Sequence, residues 1–178
     1  MTIDSINALS LFLEKHQQFF FDEMRIADFG GTEKIGDNII KNILAAGDLK
    51  NYHMLDFDNG IDLREPIVGE KFDLGICMDL LEHVSNPFLV SKNIIDSLKP
   101  GAFLFVTVPF VWELHAVPDD FWRFTPSGIM ELFKDMEMEL VHMMSDSSPL
   151  SGYNQSLFPV SAPFSRVIGY FRKLEDNK

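Results

Sequence analysis

The sequence predicts a single α/β domain in which a doubly wound, mostly parallel β-sheet carries helices on both faces. Three observations predict this fold: short apolar runs typical of buried strands, amphipathic stretches between them, and turn residues at most boundaries. The length of 178 residues, of which 46% are apolar, suits one hydrophobic core rather than two. We therefore expect residues 1–178 to form one domain that binds its ligands beyond the carboxyl ends of the strands.

The first part of the chain alternates between helical and strand patterns. Apolar side chains recur at helical spacing in residues 1–22 and predict an N-terminal helix. Residues 24–29 form an apolar run that enters two consecutive glycines, the pattern of a buried strand that ends in a tight turn. An apolar stripe at residues 35–44, closed by Gly47, predicts the next helix. A second strand is predicted at residues 52–57.

The second part of the chain continues the alternation. The near-continuous apolar character of residues 72–78 predicts a strand buried on both faces. Asn86 and Pro87 are favoured residues at a helix start, and an apolar stripe follows them. The remaining predicted elements are a strand at 102–108, a helix from Thr125, and strands at 138–144 and 167–172. Residues 145–163 are rich in Pro, Ser and Gly and predict a long loop on the substrate side.

The composition disfavours several partners and compartments. Fifteen basic against 27 acidic residues give a net charge of −12, which repels nucleic acid and anionic membrane surfaces. The longest apolar stretch is too short and too interrupted for a membrane span. The single cysteine, Cys77, lies in an apolar run typical of an inert buried thiol. The N-terminus lacks the basic region of a secretory signal, so a cytoplasmic location is expected.

Carboxylates and glycines stand where the predicted strands end. Asp28 precedes Gly30 and Gly31, which allow the backbone to turn sharply and to approach a ligand closely. Asp56 stands at the end of the second strand, where nucleotide-binding folds place a carboxylate on the ribose hydroxyls. Asp62 has the acceptor oxygens that an adenine amine would need. Each feature also has a structural alternative: a plain turn, a surface carboxylate and an acidic turn.

Three blocks, FDLGICMDLLEHVSNP, SLKPGAFLFVTVPF and HAVPDDFWRFTPSGIMELF, resemble class I S-adenosylmethionine-dependent methyltransferases in their order and spacing. They are most similar to the small members with LEHV and KPG motifs. The resemblance extends from about Arg25 to about Phe133, and the closing VIGYFRK is similar to the last strand of that family. It implies a compact variant of the Rossmann-like, seven-stranded-type methyltransferase fold. It also implies S-adenosylmethionine as cofactor and S-adenosylhomocysteine as product.

The resemblance also assigns roles to residues that match the family's motifs. It places Asp28, Gly30 and Gly31 at the methionine end of the cofactor and Asp56 at its ribose. It places the remaining cofactor-binding residues around the adenine, at Asp62 and Leu63, and near the sulfonium, at Met78 and Asp79. Glu82 and His83 receive no assigned role, and His83 is at least as typical of a structural residue that bonds to the backbone.

Two departures from the family pattern affect the expected cofactor site. Thr32 and Lys34 occupy positions where the family carries glycines, so either the loop is longer, with Gly36 as its late glycine, or the pocket is altered. Only a few residues separate Asp56 from Asp62, where larger relatives fit a whole helix. One sheet face could then be thinly covered, which leaves room for a homo-oligomer contact.

The candidate catalytic residues lie between the fifth-strand motif and the next helix. His115 is the one side chain in this segment that is a natural base near neutral pH, and Asp120 and Arg123 could orient it or hold a polar acceptor. The alternative is that Asp120 and Arg123 form an ion pair that stiffens the entry to the helix.

Methyl transfer from S-adenosylmethionine to a small-molecule acceptor, at oxygen, is therefore the leading hypothesis. A catalytically silent methyltransferase-like binding module is the first alternative, favoured by the missing glycines. A nicotinamide-dependent oxidoreductase is the second, disfavoured because ADFGGTEKIG lacks the GxGxxG pattern. No metal site is expected.

Overall fold

The computed structural model of the chain describes residues 3–19, 23–31, 51–115, 119–145 and 164–175. The α-helices in these ranges are α1 (Ile3–His16), α2 (Pro87–Ser97) and α3 (Pro126–Leu132). The strands in these ranges are β1 (Ile26–Phe29), β2 (Tyr52–Leu55), β3 (Phe72–Met78), β4 (Leu98–Pro109), β5 (Glu137–Ser145) and β6 (Phe164–Arg172). The helix predicted at 35–44, the glycine-loop residues 32–36 and most of the predicted loop at 145–163 lie outside the described residues.

The strands form one six-stranded sheet in the order β2-β1-β3-β4-β6-β5. The pairs β2-β1, β1-β3 and β3-β4 are parallel, whereas β6 runs antiparallel to both β4 and β5. The strand order reverses direction between β1 and β3, which is where a doubly wound sheet places its ligand. This arrangement confirms the predicted doubly wound, mostly parallel fold.

The register brings the ends of the first three strands to one level. Phe29, the last residue of β1, is paired with Leu55 at the end of β2 and with Cys77 near the end of β3. The residues that follow these strands therefore meet at one edge of the sheet. Asp56, Asp79 and the glycine turn at Gly30 are all at this edge.

Each face of the sheet is covered by its own apolar cluster. On one face Leu9, Phe12 and Leu13 of α1 pack against β-strand residues such as Phe105 and Tyr170. On the other face α2 and α3 pack against the sheet through residues that include Ile94 of α2 and Ile129 of α3. Burial of each large apolar side chain contributes about 1.5–3 kcal/mol to folding. The two clusters hold the strand ends in fixed positions.

The start of α2 has the local chemistry that the sequence predicts. The side-chain oxygen of Asn86 accepts a hydrogen bond from the backbone N–H of Leu89 at 3.1 Å, and Pro87 occupies the first helical turn. The helix ends at Ser97, where β4 begins. None of the helices in the described ranges combines the length and the apolar character needed to cross a bilayer.

Candidate active site

A glycine turn closes the edge of the sheet at the end of β1. Gly30 has a φ of 75°, in the left-handed region, and its N–H donates to the carbonyl of Leu55 at 2.9 Å. A Cβ atom at Gly30 would lie 2.7 Å from the Leu80 side chain, and one at Gly31 would lie 2.2 Å from the Asp28 carboxylate. Both positions therefore require glycine to let the turn lie this close to its neighbours.

Asp28 is a buried carboxyl group beside this turn, with 3% of its surface exposed. Its Oδ2 accepts a hydrogen bond from the hydroxyl of Tyr52 on the neighbouring strand. The pKa of Asp28 is raised to about 6 in total: burial raises it most, the Tyr52 hydrogen bond lowers it, and the negative charge of Asp56 raises it. A cationic ligand group beside Asp28 would therefore stabilise the charged form of its carboxyl group.

A cavity of about 430 Å³ opens beyond the ends of β1 and β2. This volume lies within the range of about 300–1,000 Å³ that is typical of small-molecule sites. Four of the predicted cofactor residues line it: Gly30, Asp56, Asp62 and Leu63. The rest of the wall includes apolar side chains, among them Phe57, Ile61, Leu80, Val84 and Phe121. The cavity therefore offers an apolar surface with carboxylates at its edge.

Asp56 and Asp62, two of the acidic residues that line the cavity, have different local partners. Asp56 Oδ1 accepts from the backbone N–H of Asn59 at 2.7 Å, which fixes the turn after β2. Asp62 binds Arg64 through both carboxylate oxygens, at 2.9 Å to Nε and 2.7 Å to Nη2. The hydrogen bonds from Arg64 lower the pKa of Asp62 to about 2. Asp62 is therefore ionised at neutral pH and shares its acceptor oxygens with Arg64.

Met78 and Asp79 lie at the end of β3, as predicted, but Asp79 is not an isolated charge. Asp79 has a φ of 52°, and its carboxylate pairs with the buried guanidinium of Arg166 from β6. Thr107 also donates to Asp79, at 3.2 Å. The side chain of Met78 packs against the cluster on the α1 face. The negative charge of Asp79, which the resemblance places near the sulfonium, is thus largely neutralised by Arg166.

Glu82, His83 and His115 form a polar cluster beside the cavity. Glu82 Oε1 lies 3.8 Å from Nε2 of His83 and 3.9 Å from Nε2 of His115. The Glu82 side chain is 1% exposed, and its Oε2 has no hydrogen-bond partner among the described residues. Burial, followed by the charge of Asp79, raises the pKa of Glu82 to about 8. His83 itself lines the cavity.

Backbone and carboxylate acceptors orient both imidazole rings of the cluster. His83 Nδ1 donates to the carbonyl of Asp119, so the predicted structural bond to the backbone is present. His115 Nδ1 lies 3.2 Å from the carbonyl of Glu113 and 3.2 Å from Oδ2 of Asp120. These partners only accept hydrogen bonds, so each Nδ1 carries a proton, and in the neutral form of each ring the lone pair is at Nε2.

Asp120 and Arg123 hold the segment that carries His115. The guanidinium of Arg123 binds both carboxylate oxygens of Asp120 and also donates to the carbonyl of Glu113 at 3.0 Å. The hydrogen bonds from Arg123 keep the pKa of Asp120 well below its ordinary value. Asp120 also accepts from the backbone N–H of His115 at 3.0 Å. The structure thus brings His115, Asp120 and Arg123 together, with Arg123 acting on His115 through Asp120.

Several residues contribute to this edge of the sheet although the sequence around them does not predict it. Tyr52 reaches Asp28 from 24 positions away, and Arg166 reaches Asp79 from 87 positions away. Glu82 and His83 do stand in the LEHV block, but their meeting with His115 depends on the segment at 119–122. That segment is held to the turn at Leu81–His83 and to Val84 by the bonds Phe121 N to Glu82 O, at 2.7 Å, and Trp122 Nε1 to Val84 O, at 2.9 Å.

The fold is that of the class I S-adenosylmethionine-dependent methyltransferases. No model of a known protein family matches the sequence, and no curated protein sequence matches it. Among solved structures, the N-methyltransferase NodS from Bradyrhizobium japonicum WM9 is similar, with a TM-score of 0.61 at 12% identity, over 97% of this chain and 98% of NodS. NodS is also known in complex with S-adenosyl-L-homocysteine.

Two further structures share the fold. A S-adenosylmethionine-dependent methyltransferase from Methanosarcina mazei has a TM-score of 0.54 at 10% identity, over 90% of this chain and 97% of its own. The [4+2]-cyclase SpnF has a TM-score of 0.59 at 13% identity, over 95% of this chain and 83% of its own. The predicted compact methyltransferase fold is therefore confirmed, and the fold also carries at least one other activity.

Proposed function

We propose that this protein transfers a methyl group from S-adenosylmethionine to a small-molecule acceptor at an oxygen atom. The observation that supports this most is the placement of the cavity, which lies at the switch point of a methyltransferase fold, between the glycine turn and the polar cluster with His115. A cofactor site and a proton-accepting site are therefore neighbours. The chemistry of each part is consistent with this assignment.

The residues around the glycine turn suit the cofactor. Asp28 is a buried carboxyl group whose described partner is the neutral hydroxyl of Tyr52, so a cationic amine in the site would stabilise its charge. Gly30 and Gly31 allow the backbone to approach the ligand without a Cβ. Asp56 would accept from ribose hydroxyls, and Leu63 with the backbone near Asp62 would frame the adenine. The bound cofactor supplies a methyl group activated by its sulfonium.

The polar cluster suits an acceptor that loses a proton. An acceptor hydroxyl oxygen attacks the methyl carbon, the carbon–sulfur bond breaks, and its electron pair returns to sulfur, which leaves neutral S-adenosylhomocysteine. The hydroxyl proton must then leave, and His115 Nε2 is the atom that would receive it. Asp120, which is held by Arg123, keeps the ring of His115 in place. Phe121, with half of its surface exposed, would pack against the acceptor and exclude water.

Calorimetry with S-adenosylhomocysteine, S-adenosylmethionine and a reduced nicotinamide cofactor tests the cofactor assignment. We expect saturable binding of both adenosyl compounds to the full chain and no binding of the nicotinamide compound. Binding of the nicotinamide compound alone would overturn the proposal. If neither adenosyl compound bound, a silent binding module would be the better description.

The role of His115 is tested by its replacement with alanine. We expect His115→Ala to reduce turnover by about 100-fold, the usual contribution of a proton acceptor, with little change in S-adenosylhomocysteine affinity. His142→Ala is the matched control, because His142 is exposed on β5. Equal turnover in the two variants would make His115 a structural residue. This experiment requires an acceptor, which a screen of small hydroxyl compounds with radiolabelled S-adenosylmethionine would identify.

A further inference from the structure

We infer that Glu82, His83 and His115 form a binding site for a divalent transition-metal ion. The cluster combines two imidazoles and one carboxylate, and its three ligand atoms all lie within 4.8 Å of one another. Metal ions of the zinc type are bound by this combination of nitrogen and oxygen ligands, with further positions left open. Residues on two separate segments, the turn after β3 and the strand-to-helix segment at 110–115, contribute the ligands.

The distances inside the cluster suit ligands of one ion better than hydrogen bonds. Glu82 Oε1 lies 3.8 Å and 3.9 Å from the two Nε2 atoms, which is too long for a hydrogen bond. Ligands that bind one ion at about 2.1 Å in tetrahedral geometry stand about 3.4 Å apart. Small side-chain rotations would therefore bring all three atoms into the coordination sphere.

The orientation of the two rings provides the second argument. The Nδ1 atoms of His83 and His115 both face oxygen acceptors, and both Nε2 atoms lie on the side of Glu82, at 3.8 Å and 3.9 Å from its Oε1. An ion among these three atoms would be bound by all of them at once. The Glu82 side chain is also 1% exposed, and its Oε2 has no hydrogen-bond partner among the described residues, so a bound ion would supply the partner that this oxygen lacks.

The surroundings of the cluster resemble the supporting shell of a metal site. Metal-binding histidines commonly donate their other ring N–H to a carbonyl or a carboxylate, which fixes the ring and strengthens the ligand. His83 donates to the Asp119 carbonyl in this way, and His115 faces Asp120. Asp120 is itself held by Arg123, so it remains a carboxylate that accepts from the ring. The sequence-based expectation that no metal is bound is replaced by this proposal.

A cation at this site would deepen the proposed function, and this consequence rests on that function. His83 lines the cavity, so the open positions of the ion would face the acceptor. A cation lowers the pKa of a hydroxyl group that binds to it, and the proton then leaves to solvent. With the ion bound, its contact with the acceptor hydroxyl would replace the proton-accepting role proposed above for His115, whose Nε2 would then be a ligand. The acceptor class would be a small molecule with a hydroxyl group.

Direct metal binding tests the site without any methyl acceptor. Tag-free full-length protein is stripped with a chelator and titrated with Zn²⁺ by calorimetry, with Co²⁺ by visible absorption, and with Mg²⁺ as a hard-ion comparison. We expect one equivalent of Zn²⁺ or Co²⁺ to bind, and Mg²⁺ to bind at least about 100-fold more weakly. Stoichiometric Co²⁺ spectra would report the nitrogen and oxygen ligands directly.

Two ligand variants, one variant of the supporting shell and one control identify the residues involved. Glu82→Gln keeps the shape of the side chain and should weaken Zn²⁺ binding by at least about 100-fold, and His115→Ala should do the same. Asp120→Asn, which changes only the supporting shell, should weaken it by about 10-fold to 100-fold. Glu113→Gln is the matched control, because it alters a neighbouring carboxylate outside the cluster. Circular dichroism checks that each variant is folded.

The outcomes separate this inference from the proposed function. Unchanged Zn²⁺ affinity in Glu82→Gln and His115→Ala, or the absence of Zn²⁺ and Co²⁺ binding to the wild type, overturns the metal site. Binding of S-adenosylhomocysteine to the metal-free protein is measured in parallel, and we expect it to require neither the metal ion nor its ligand residues. A wild-type protein that binds S-adenosylhomocysteine but neither Zn²⁺ nor Co²⁺ therefore contradicts this inference alone. The reverse result contradicts the proposed function alone.

Discussion

The buried acidic side chains of this protein differ in how their charge is balanced. Asp79 pairs with Arg166, and Asp120 pairs with Arg123. Asp28 has the Tyr52 hydroxyl as its described partner, and Glu82 Oε1 lies 3.8 Å and 3.9 Å from the Nε2 atoms of two imidazoles. Isolated buried carboxylates cost several kcal/mol, and proteins keep them mainly where a ligand completes the site.

Individual site residues were predictable where they follow a strand end. Asp28, Asp56 and the glycine pair are found at the edge of the sheet because parallel strands end at a common level. The partners of these residues were not predictable, since Arg166 comes from the antiparallel strand β6 and Tyr52 from the start of β2. Only the three-dimensional pairing of strands shows which charges are neutralised.

Replacement of Gly31 tests the close approach at the glycine turn. A methyl group at this position would lie 2.2 Å from the Asp28 carboxylate, so either the turn or Asp28 must move. We expect Gly31→Ala to reduce the free energy of unfolding by about 1–3 kcal/mol, as other overpacked positions do. It should also weaken S-adenosylhomocysteine binding, as measured by calorimetry.

Gly128→Ala is the matched control for the glycine turn. A Cβ at Gly128 would meet its nearest atom, Thr125 Oγ1, at an ordinary 3.5 Å, and the residue lies within helix α3. Alanine is the better helix former, so this variant should be neutral or slightly stabilising. Equal unfolding free energies and equal affinities in the two variants would show that the turn tolerates a side chain.

At the level of elements, the apolar pattern predicted type and order well and boundaries less well. The strand at Phe72–Met78 matches its prediction in full, because burial on both faces gives a continuous apolar run. Strand β4 begins at Leu98, ahead of the predicted start at residue 102. Leu98 pairs with Phe72, and the next pair is Phe103 with Leu74. The register shifts between these two pairs, so the residues at 99–101 form an irregularity inside the strand. The pattern of residues 99–101 is typical of a turn, so the sequence predicts that the strand begins only after it.

The cap of helix α2 provides a prediction at this scale. Asn86→Ala removes the acceptor for the N–H of Leu89 and should cost about 1 kcal/mol of unfolding free energy, or about 2–4 °C in Tm for a chain of this size. Differential scanning calorimetry measures the shift. Asn86→Asp is the control, because a carboxylate accepts the same bond and should leave Tm unchanged. An equal loss in both variants would assign the effect to something other than the cap.

For the molecule as a whole, the net charge of −12 shows little about the active site. Acceptors of nucleic-acid type remain disfavoured by the repulsion that this charge creates, and this stays a prediction. Inside the fold, however, pH acts through single buried groups whose pKa differs between the folded and unfolded states. Asp28 is the clearest example on the cofactor side, since burial raises its pKa from 3.8 to about 6.

The sign of this shift gives the last prediction. A carboxyl group whose pKa is raised on folding favours the folded state in its protonated form, so its contribution is complete below pH 3.8 and is lost as the pH rises through about 6. The shift corresponds to about 3 kcal/mol, at about 1.4 kcal/mol per pKa unit. Urea unfolding between pH 4 and pH 7.5 should therefore show the wild type losing about this much stability relative to Asp28→Asn. Tyr52→Phe removes the hydrogen bond that lowers this pKa, so its loss should extend to higher pH. Parallel stability curves for the wild type and Asp28→Asn would show instead that water or a rearranged partner stabilises the charge of Asp28 in the folded protein.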